Sequence, residues 1–390
     1  MPPARPFRVR TITAGVGLTS TTELDRVEAA IAVLQRGRKL FEDEGYEVET
    51  LRVATPPLVA DLTGAARDAA LTDLRALDRL AQDRDVLVAI GPILLADRAD
   101  PGLAAWAAEL ARTTTKLSFS VTVAAPGTGT QPHAIQTAAE VMLAISRSTP
   151  GGLGNFRFAA AAHIPPGTPF FPVAYHAGPD SLAIGLESAS LVEAALRSAR
   201  DPRDATARLR TRLEESLGPV ERTAAAFAQR EGRRYLGIDP SPAPAKDRSI
   251  GAAIEALTHR PFGSASTLDA CAAITGALKS LRVRTCGYAG LMLPVLEDPV
   301  LAQRATEGRY GVHELLLYSS VCGTGLDVIP LPGDIPSETV ARLILDVAAL
   351  ADRLQKPLAA RLLLLPGKRA GDLARFDDPL LADCGVMRID

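Results

Sequence analysis

The chain has 390 residues and 47% of them are hydrophobic, which is enough to bury a large core. With 43 basic and 45 acidic residues the charge is nearly balanced, and no basic stripe carries interleaved aromatics, which argues against nucleic-acid binding. No apolar run of about 18 residues and no stretch typical of a signal peptide occurs. We therefore expect a cytoplasmic protein that does not span a membrane.

Strands and helices alternate through the first 160 residues. Runs of β-branched and apolar residues predict strands over 8–14, 46–53, 85–90, 117–123 and 156–161. Apolar residues at helical spacing predict helices over 23–44, 66–82, 103–112 and 132–145. Strand–helix alternation with short connections is typical of a parallel sheet covered by helices.

The remainder of the chain continues this pattern less regularly. Strands are predicted over 182–186, 283–286, 328–331 and 358–365. Helices are predicted over 191–198, 205–229, 249–257, 267–278, 299–307, 312–320 and 337–354. Three prolines keep 237–245 from being regular helix. No linker or repeat interrupts the chain, so we expect one α/β domain over residues 1–390.

Two candidate binding positions lie near the ends of predicted strands, where α/β folds place their sites. Arg10 is a charged residue inside a predicted strand and needs a partner. It binds an anionic group in one interpretation and forms a structural ion pair in the other. Tyr175 and His176 follow a proline-rich loop, and His176 is either a base or metal ligand or a hydrogen-bonded structural residue.

Four carboxylates form a candidate metal set. Asp239 and Asp247 flank the proline-rich segment, and Glu297 and Asp298 precede a predicted helix. A hard cation such as Mg²⁺ or Ca²⁺ would be held by oxygen ligands of this kind. The alternative is that the acids cap helices or form ion pairs, with Asp247 as the N-cap of the helix over 249–257.

The loop from Ser319 to Asp327 is the strongest candidate for a catalytic segment. It presents Cys322 beside Gly323 and Gly325, and a carboxylate, Asp327, begins the strand that follows. A thiol on such a turn gains reactivity if nearby backbone N–H groups stabilise its thiolate. The alternative is a buried and inert cysteine. The four cysteines, 271, 286, 322 and 384, form no CxxC pair, so a thiolate zinc site is not expected.

Eight segments, taken in chain order, resemble the family of domain of unknown function 711, also termed uncharacterised protein family 0210. They read RTIT, FFPVAYHAGP, AIGLES, GIDPSPAPA, FGSASTL, GYAGLMLPVLED, CGTGLDVIPLPGD and LPGKRAGD. From these pieces we take Ser264 and Thr267, with Arg10, Tyr175, Gly323 and Gly325, as candidate substrate-binding residues.

The resemblance implies a single ten-strand α/β barrel of the pyruvate formate-lyase kind, wrapped by helices. In that superfamily a loop inside the barrel carries the active cysteine, and it corresponds here to residues 322–327. The radical enzymes of the superfamily also need a C-terminal Arg-Val-x-Gly-Tyr motif, which the segment 383–388 lacks. We therefore expect no glycyl radical chemistry.

These observations favour an enzyme that acts on a small polar or anionic metabolite, with Cys322, Asp327 and His176 as catalytic candidates and a divalent cation as an optional aid. A non-catalytic metabolite- or metal-binding regulator is the alternative, and a structural homo-oligomer is a third. We expect Cys322, Asp327, His176, Asp239 and Asp247 to meet in one pocket. The expected partners are a small-molecule ligand and other copies of the chain.

Overall fold

The computed structural model describes residues 7–389, which form an α/β fold around one long sheet. The strands are β1 (Arg8–Gly15), β2 (Val48–Ala54), β3 (Leu87–Leu94), β4 (Leu117–Ala125), β5 (Gly129–Thr130), β6 (Phe158–Ala162), β7 (Ser181–Glu187), β8 (Arg234–Asp239), β9 (Gly325–Pro332), β10 (Leu358–Leu365), β11 (Leu373–Ala374) and β12 (Cys384–Gly385). A short 3₁₀ segment, Pro150–Arg157, precedes β6.

Eleven α-helices pack around the sheet within the described residues. They are α1 (Leu24–Asp43), α2 (Gly64–Asp83), α3 (Leu103–Thr113), α4 (Pro132–Ser148), α5 (Ala189–Arg197), α6 (Pro202–Arg230), α7 (Ile250–Thr258), α8 (Thr267–Lys279), α9 (Pro299–Thr306), α10 (Val312–Ser319) and α11 (Ser337–Leu354). Between residues 7 and 389 every helix is too short or too polar to cross a lipid bilayer.

The main sheet has ten strands in two groups of opposite direction. Nine follow the order β8-β7-β1-β2-β3-β4-β6-β10-β9, and β5 pairs with β4. The strands β1, β2, β3, β4 and β6 are parallel to one another. The strands β7 and β10 run antiparallel to their neighbours β1 and β6. Single bridges then join Ile238 to Thr285 and Pro294 to Asp327, just beyond the two outer strands.

The two faces of the sheet differ in side-chain chemistry. On β1, Ile12 and Ala14 join the large apolar cluster shared with the helices. Thr11 and Thr13 are buried, point the other way and hydrogen-bond to each other. Alternation along a strand sends successive side chains to opposite faces, so one face packs on helices and the other is small and polar.

Three loops cover the polar face: residues 163–180, 240–249 and 286–298. Their apolar side chains form a separate small cluster with alanines of β6 and β10, namely Phe170, Val173, Ala243, Tyr288, Met292, Ala159, Ala161 and Ala359. Small residues on the strands make room for this backbone. A Cβ on Gly185 of β7 would lie 2.8 Å from Thr11 and 3.3 Å from the Phe170 ring.

Most predicted elements are confirmed with ends moved by a few residues, and the α/β class is confirmed. Strands β5, β8, β11 and β12 were not predicted. Three of them have only two residues each, and β8 combines two polar ends with a glycine and leads into prolines. The predicted strand over 283–286 is a single bridge at Thr285, since the backbone there leaves the sheet to become a covering loop.

Candidate functional site

A cavity of about 620 Å³ lies where strands β1 to β4 begin and β7 ends, next to the covering loops. Aromatic rings of Phe156, Phe170 and Phe171 form part of its wall. Its charged lining has seven basic and five acidic residues: Arg8, Arg10, Arg52, Lys116, Arg157, Lys246 and Arg361 against Glu49, Glu187, Asp247, Glu297 and Asp378. The surplus of basic groups favours an anionic occupant.

Arg52 is the unusual member of this lining because it is buried and has no carboxylate partner in the part of the chain that the structure describes. Its Nη1 donates to the carbonyl oxygen of Pro169 (3.1 Å) and its Nε to Thr50 Oγ1 (3.2 Å), which leaves three of five N–H groups unused. The guanidinium carbon lies 4.5 Å from the centre of the Phe171 ring.

Burial lowers the pKa of Arg52 to about 9, which still leaves the guanidinium charged at neutral pH. Glu49 and Glu297 act on it electrostatically, but both are in ion pairs with other arginines. A buried charge without a counter-charge is costly to maintain. The cavity therefore offers a charged fork that an anion would complete.

A chain of ion pairs crosses the site beside Arg52. Glu297 receives Arg10 on one oxygen (3.2 Å) and Arg361 on the other (2.8 Å). Arg361 also pairs with Asp327 at 2.7 Å. Because Arg361 is buried between these two carboxylates, its pKa is raised above its usual value even though burial alone would lower it. The chain links β1, β9, β10 and the loop at Glu297 into one wall of the cavity.

A carboxyl pair forms the opposite end of this wall. Glu187 is fully buried at the end of β7 and is in ion pairs with Arg8 (3.0 Å), Arg10 (3.3 Å) and Arg248 (2.7 Å). Glu49 lies beside it and is within 3.4 Å of Arg8 and 3.7 Å of Arg10. Burial, and then the neighbouring carboxyl group of Glu187, raise the pKa of Glu49 to about 8.

The three predicted catalytic residues make different sets of contacts. Asp327 lies in the ion-pair chain, bonded to Arg361. Cys322 is buried, accepts a hydrogen bond from the Gly325 amide (3.5 Å) and borders a different cleft with Lys279 and Lys356.

His176 sits at the other end of β1. Its Nε2 donates to the Gly178 carbonyl (2.9 Å) and its Nδ1 meets Ser181 Oγ at 3.4 Å. Burial lowers the pKa of this imidazole. A Cβ on Gly15 would lie 2.2 Å from Nδ1, so the ring is packed directly against the strand. The structural interpretation, a hydrogen-bonded core histidine, describes these contacts.

Of the predicted substrate-binding residues, only Arg10 lines the large cavity. Tyr175 donates to the Ile164 carbonyl and borders a smaller cavity. Thr267 accepts from the Gly263 amide at the start of α8, and the Ser264 amide donates to the Pro261 carbonyl within the same turn.

Gly323 and Gly325 have steric roles in the packing of the cysteine loop. A Cβ on Gly323 would come within 2.6 Å of the Gly290 Cα, and one on Gly325 within 2.5 Å of the Ala359 carbonyl oxygen. Gly325 also has a φ of +90°, a value that side-chain-bearing residues rarely adopt. Close backbone approach therefore explains both glycines without a ligand.

The four predicted metal ligands are engaged in different contacts. Asp239 is buried and accepts from the amides of Ser241, Tyr288 and Ala289, so it anchors the loop at 286–290. Glu297 belongs to the ion-pair chain. Asp247 is exposed, and the prediction that it caps α7 is wrong because Ser249 accepts from the Ala252 amide instead.

Asp298 is a buried capping residue for two helices. It accepts from Val300 and Leu301 at the start of α9 and from Ser249, Ile250 and Gly251 at the start of α7. Within residues 7–389 no group of three or more His, Cys, Asp and Glu side chains is arranged to hold a metal ion.

The sequence prediction missed Arg52, Arg361, Glu49 and Glu187. The signal for the arginines was present, since each is a charged residue inside an apolar strand, in LRVA and LAARLLLL respectively. Like Arg10, a charged residue inside such a strand needs a partner. The carboxyl pair has no such signal, because only the antiparallel pairing of β1 and β7 brings Glu187 to the start of the sheet.

Comparisons with known proteins agree along the length of the chain. A family model described as Uncharacterised ACR (DUF711) matches residues 1–377. A UPF0210 protein of Pyrobaculum islandicum is 32% identical over 351 residues, covering 84% of this chain and 76% of the relative. A UPF0210 protein of Desulforudis audaxviator is 27% identical over 413 residues, covering 98% of this chain and 90% of the relative. The chain therefore belongs to the family described as Uncharacterised ACR (DUF711).

Proposed function

We propose that this protein is an enzyme that binds a small anionic metabolite in the arginine-lined cavity and acts on it there without radical chemistry. The observation that carries the proposal is Arg52, a buried charged guanidinium with unused donors and no carboxylate partner among the described residues. Carboxylate and phosphate groups match the planar fork of an arginine. Such an anion would supply the missing counter-charge.

The neighbouring groups support a narrow range of ligands. Buried Ser118 Oγ has no hydrogen-bond partner within residues 7–389 and lines the same cavity, where a polar ligand group would satisfy it. The phenylalanine wall provides apolar contact, and a volume of about 620 Å³ is within the usual range of metabolite pockets. A metabolite with one anionic group, a further polar group and a modest apolar part fits this combination.

An enzyme is favoured over a passive binding protein because ionisable groups lie next to the anion position. Glu49, whose pKa is raised to about 8 mainly by burial, shares the cavity wall with Arg52. Groups with displaced pKa values beside a pocket are typical of catalytic sites. No metal ion is invoked, since the four carboxylates considered for one are engaged elsewhere: Asp239 with loop amides, Asp298 as a helix cap, and Asp247 and Glu297 in ion pairs.

We also infer that the long sheet curves towards a closed barrel of the pyruvate formate-lyase kind. The support is the segment 285–294, which bridges to β8 at Thr285 and to β9 at Pro294. These two strands are the outer members of the sheet. A sheet whose two outer strands contact the same ten-residue segment has its ends close together, and the loops on its polar face then lie in the interior.

Thermal unfolding with a panel of probes tests the proposed binding. Inorganic phosphate, acetate and succinate serve as anions, and choline serves as a cation. We expect one or more anions to raise the Tm of the wild type, because a ligand at about 100 times its Kd adds about 2.7 kcal/mol to the free energy of unfolding. Choline should leave the Tm unchanged. The absence of a shift with all the anions contradicts the proposal.

A further inference from the structure

The carboxyl pair at the cavity wall points to a specific step in the proposed reaction. Arg8 and Arg10 each contact both carboxyl groups, at 3.4 and 3.7 Å for Glu49 and at 3.0 and 3.3 Å for Glu187. Both carboxyl groups face the same two nitrogens, Arg8 Nη1 and Arg10 Nη1, and therefore lie side by side. Two carboxyl groups that share a site in this way do not both ionise readily, so one of them retains a proton.

The surroundings decide which of the two carries it. Arg248 contacts Glu187 at 2.7 Å, and the side chain of Glu187 is 1% exposed, so three arginines surround this carboxyl group at 2.7 to 3.3 Å. Glu49 receives only the two longer contacts and keeps 20% of its side chain exposed at the cavity. Glu49 is therefore the protonated member and the one that a ligand can reach.

Resting on the proposed function, we propose that Glu49 is the proton donor of this site. Its O–H bond breaks and the proton passes to a basic oxygen of the metabolite anchored at Arg52, while the electron pair stays on the Glu49 carboxylate. The second negative charge that this leaves beside Glu187 is met by Arg8, Arg10 and Arg248. Solvent returns the proton after the product leaves.

Charged groups on every neighbouring element bear on this proton. They are Arg8 and Arg10 on β1, Glu187 on β7, Arg52 on β2, Arg248 and Asp247 before α7, and Glu297 before α9. Glu187 favours the protonated form of Glu49, and Arg8 and Arg10 oppose it. Removing the charge of Glu187 should therefore lower the pKa of Glu49.

Infrared difference spectroscopy of the full-length protein tests the retained proton directly. The spectrum of wild type minus Glu49→Gln should contain the C=O band of a protonated carboxylic acid at neutral pH, and the band should titrate with a midpoint of about 8. In a Glu187→Gln background the midpoint should move downward. Glu338→Gln, at an exposed ion pair with Arg342, is the matched control and should remove only carboxylate bands.

A difference spectrum with carboxylate bands alone at neutral pH would overturn the proposal, as would a midpoint that Glu187→Gln does not move. Inorganic phosphate then probes the donor role. Saturating phosphate should shift or diminish the acid band in the wild type and leave it unchanged in Arg52→Met. Phosphate that binds with measurable heat but leaves the wild-type band unchanged contradicts the donor role alone. If the acid band is present but no anion binds, the proposed function is contradicted, and the proton donor role of Glu49 towards a bound metabolite falls with it.

Discussion

Arg361 and Asp327 are register partners on the parallel strands β10 and β9, and their Nε and Oδ1 atoms lie 2.7 Å apart. Both side chains are buried. Asp327 was predicted as a catalytic base or ligand, yet its contacts make it the end of an ion-pair chain. Its effect on the site is to hold Arg361, which in turn holds Glu297 and Arg10.

Replacing Arg361 tests this structural role. Arg361→Met leaves Asp327 as a buried carboxylate without its cation, so we expect the free energy of unfolding to fall by about 3–5 kcal/mol. Arg342→Met, at an exposed pair on α11, should cost less than about 1 kcal/mol. Urea unfolding of the two variants measures both values. A loss for Arg361→Met as small as that of the control would show that the buried chain adds little stability.

Asp298 provides a second stability test. Because it caps both α7 and α9 from a buried position, Asp298→Ala should cost about 2–4 kcal/mol, which is more than a single exposed cap. Asp201→Ala removes the exposed cap of α6 and should cost about 1 kcal/mol. Unfolding by urea compares the two. If a metal chelator lowered the stability of the wild type by as much as Asp298→Ala does, helix capping alone would not explain the contribution of Asp298.

Gly325 and Gly276 form a matched pair of glycines. Gly325→Ala places a Cβ 2.5 Å from the Ala359 carbonyl oxygen at a φ of +90°, and we expect a loss of about 2 kcal/mol or more. Gly276→Ala in α8 meets nothing within 4 Å and should gain about 0.5–1 kcal/mol. Thermal and urea unfolding measure the signs, and a neutral Gly325→Ala would return this loop to the list of ligand-binding candidates.

The carboxyl pair predicts a pH dependence of stability with a definite sign. The pKa of Glu49 is about 8 in the folded protein against a usual 4.5, so the folded state binds more protons between these values. Its contribution to stability is therefore full below about pH 4.5 and is lost as the pH rises through 8. Glu49→Gln should remove that decline.

We expect the difference in unfolding free energy between wild type and Glu49→Gln to change by about 1–3 kcal/mol across this window. This is less than the full shift in pKa would give, because the side chain is 20% exposed. Denaturation at a series of pH values provides the measurement, with Glu338→Gln as the flat control. Parallel pH profiles for wild type and Glu49→Gln would show that Glu49 titrates alike in both states.

The helices and parallel strands were predicted well where the apolar periodicity ran over many residues and ended at clear boundary residues. The helix over 337–354 and the strand over 358–365 match α11 and β10. Short or glycine-containing strands such as β8 were not predicted, because six residues show too little alternation of apolar and polar side chains to distinguish a strand from a loop.

The candidate site was harder to predict than the fold. The sequence singled out Arg10 for the right physical reason, a charge inside a strand, and the structure places it in the cavity. The expected convergence of Cys322, His176 and Asp239 stays a prediction. In the structure His176 bonds to Gly178, Asp239 to amides of two loops and Cys322 to the Gly325 amide. Which loops cover the polar face depends on packing against small residues of several strands, and no local pattern encodes that.

Calorimetric titration of Arg52 variants tests the central claim most directly. Inorganic phosphate, acetate and succinate are titrated into the wild type, Arg52→Lys, Arg52→Met and the exposed control Arg342→Met. We predict that the anion with the highest affinity binds the wild type and Arg342→Met equally well. Arg52→Lys should lower this affinity because a point charge replaces the guanidinium fork. Arg52→Met should lower it by about 10–100-fold. Arg52→Met without ligand should be as stable as the wild type or more so, since a buried unpaired charge is gone. Equal affinity in the wild type and Arg52→Met, or no heat with any anion, would contradict the account.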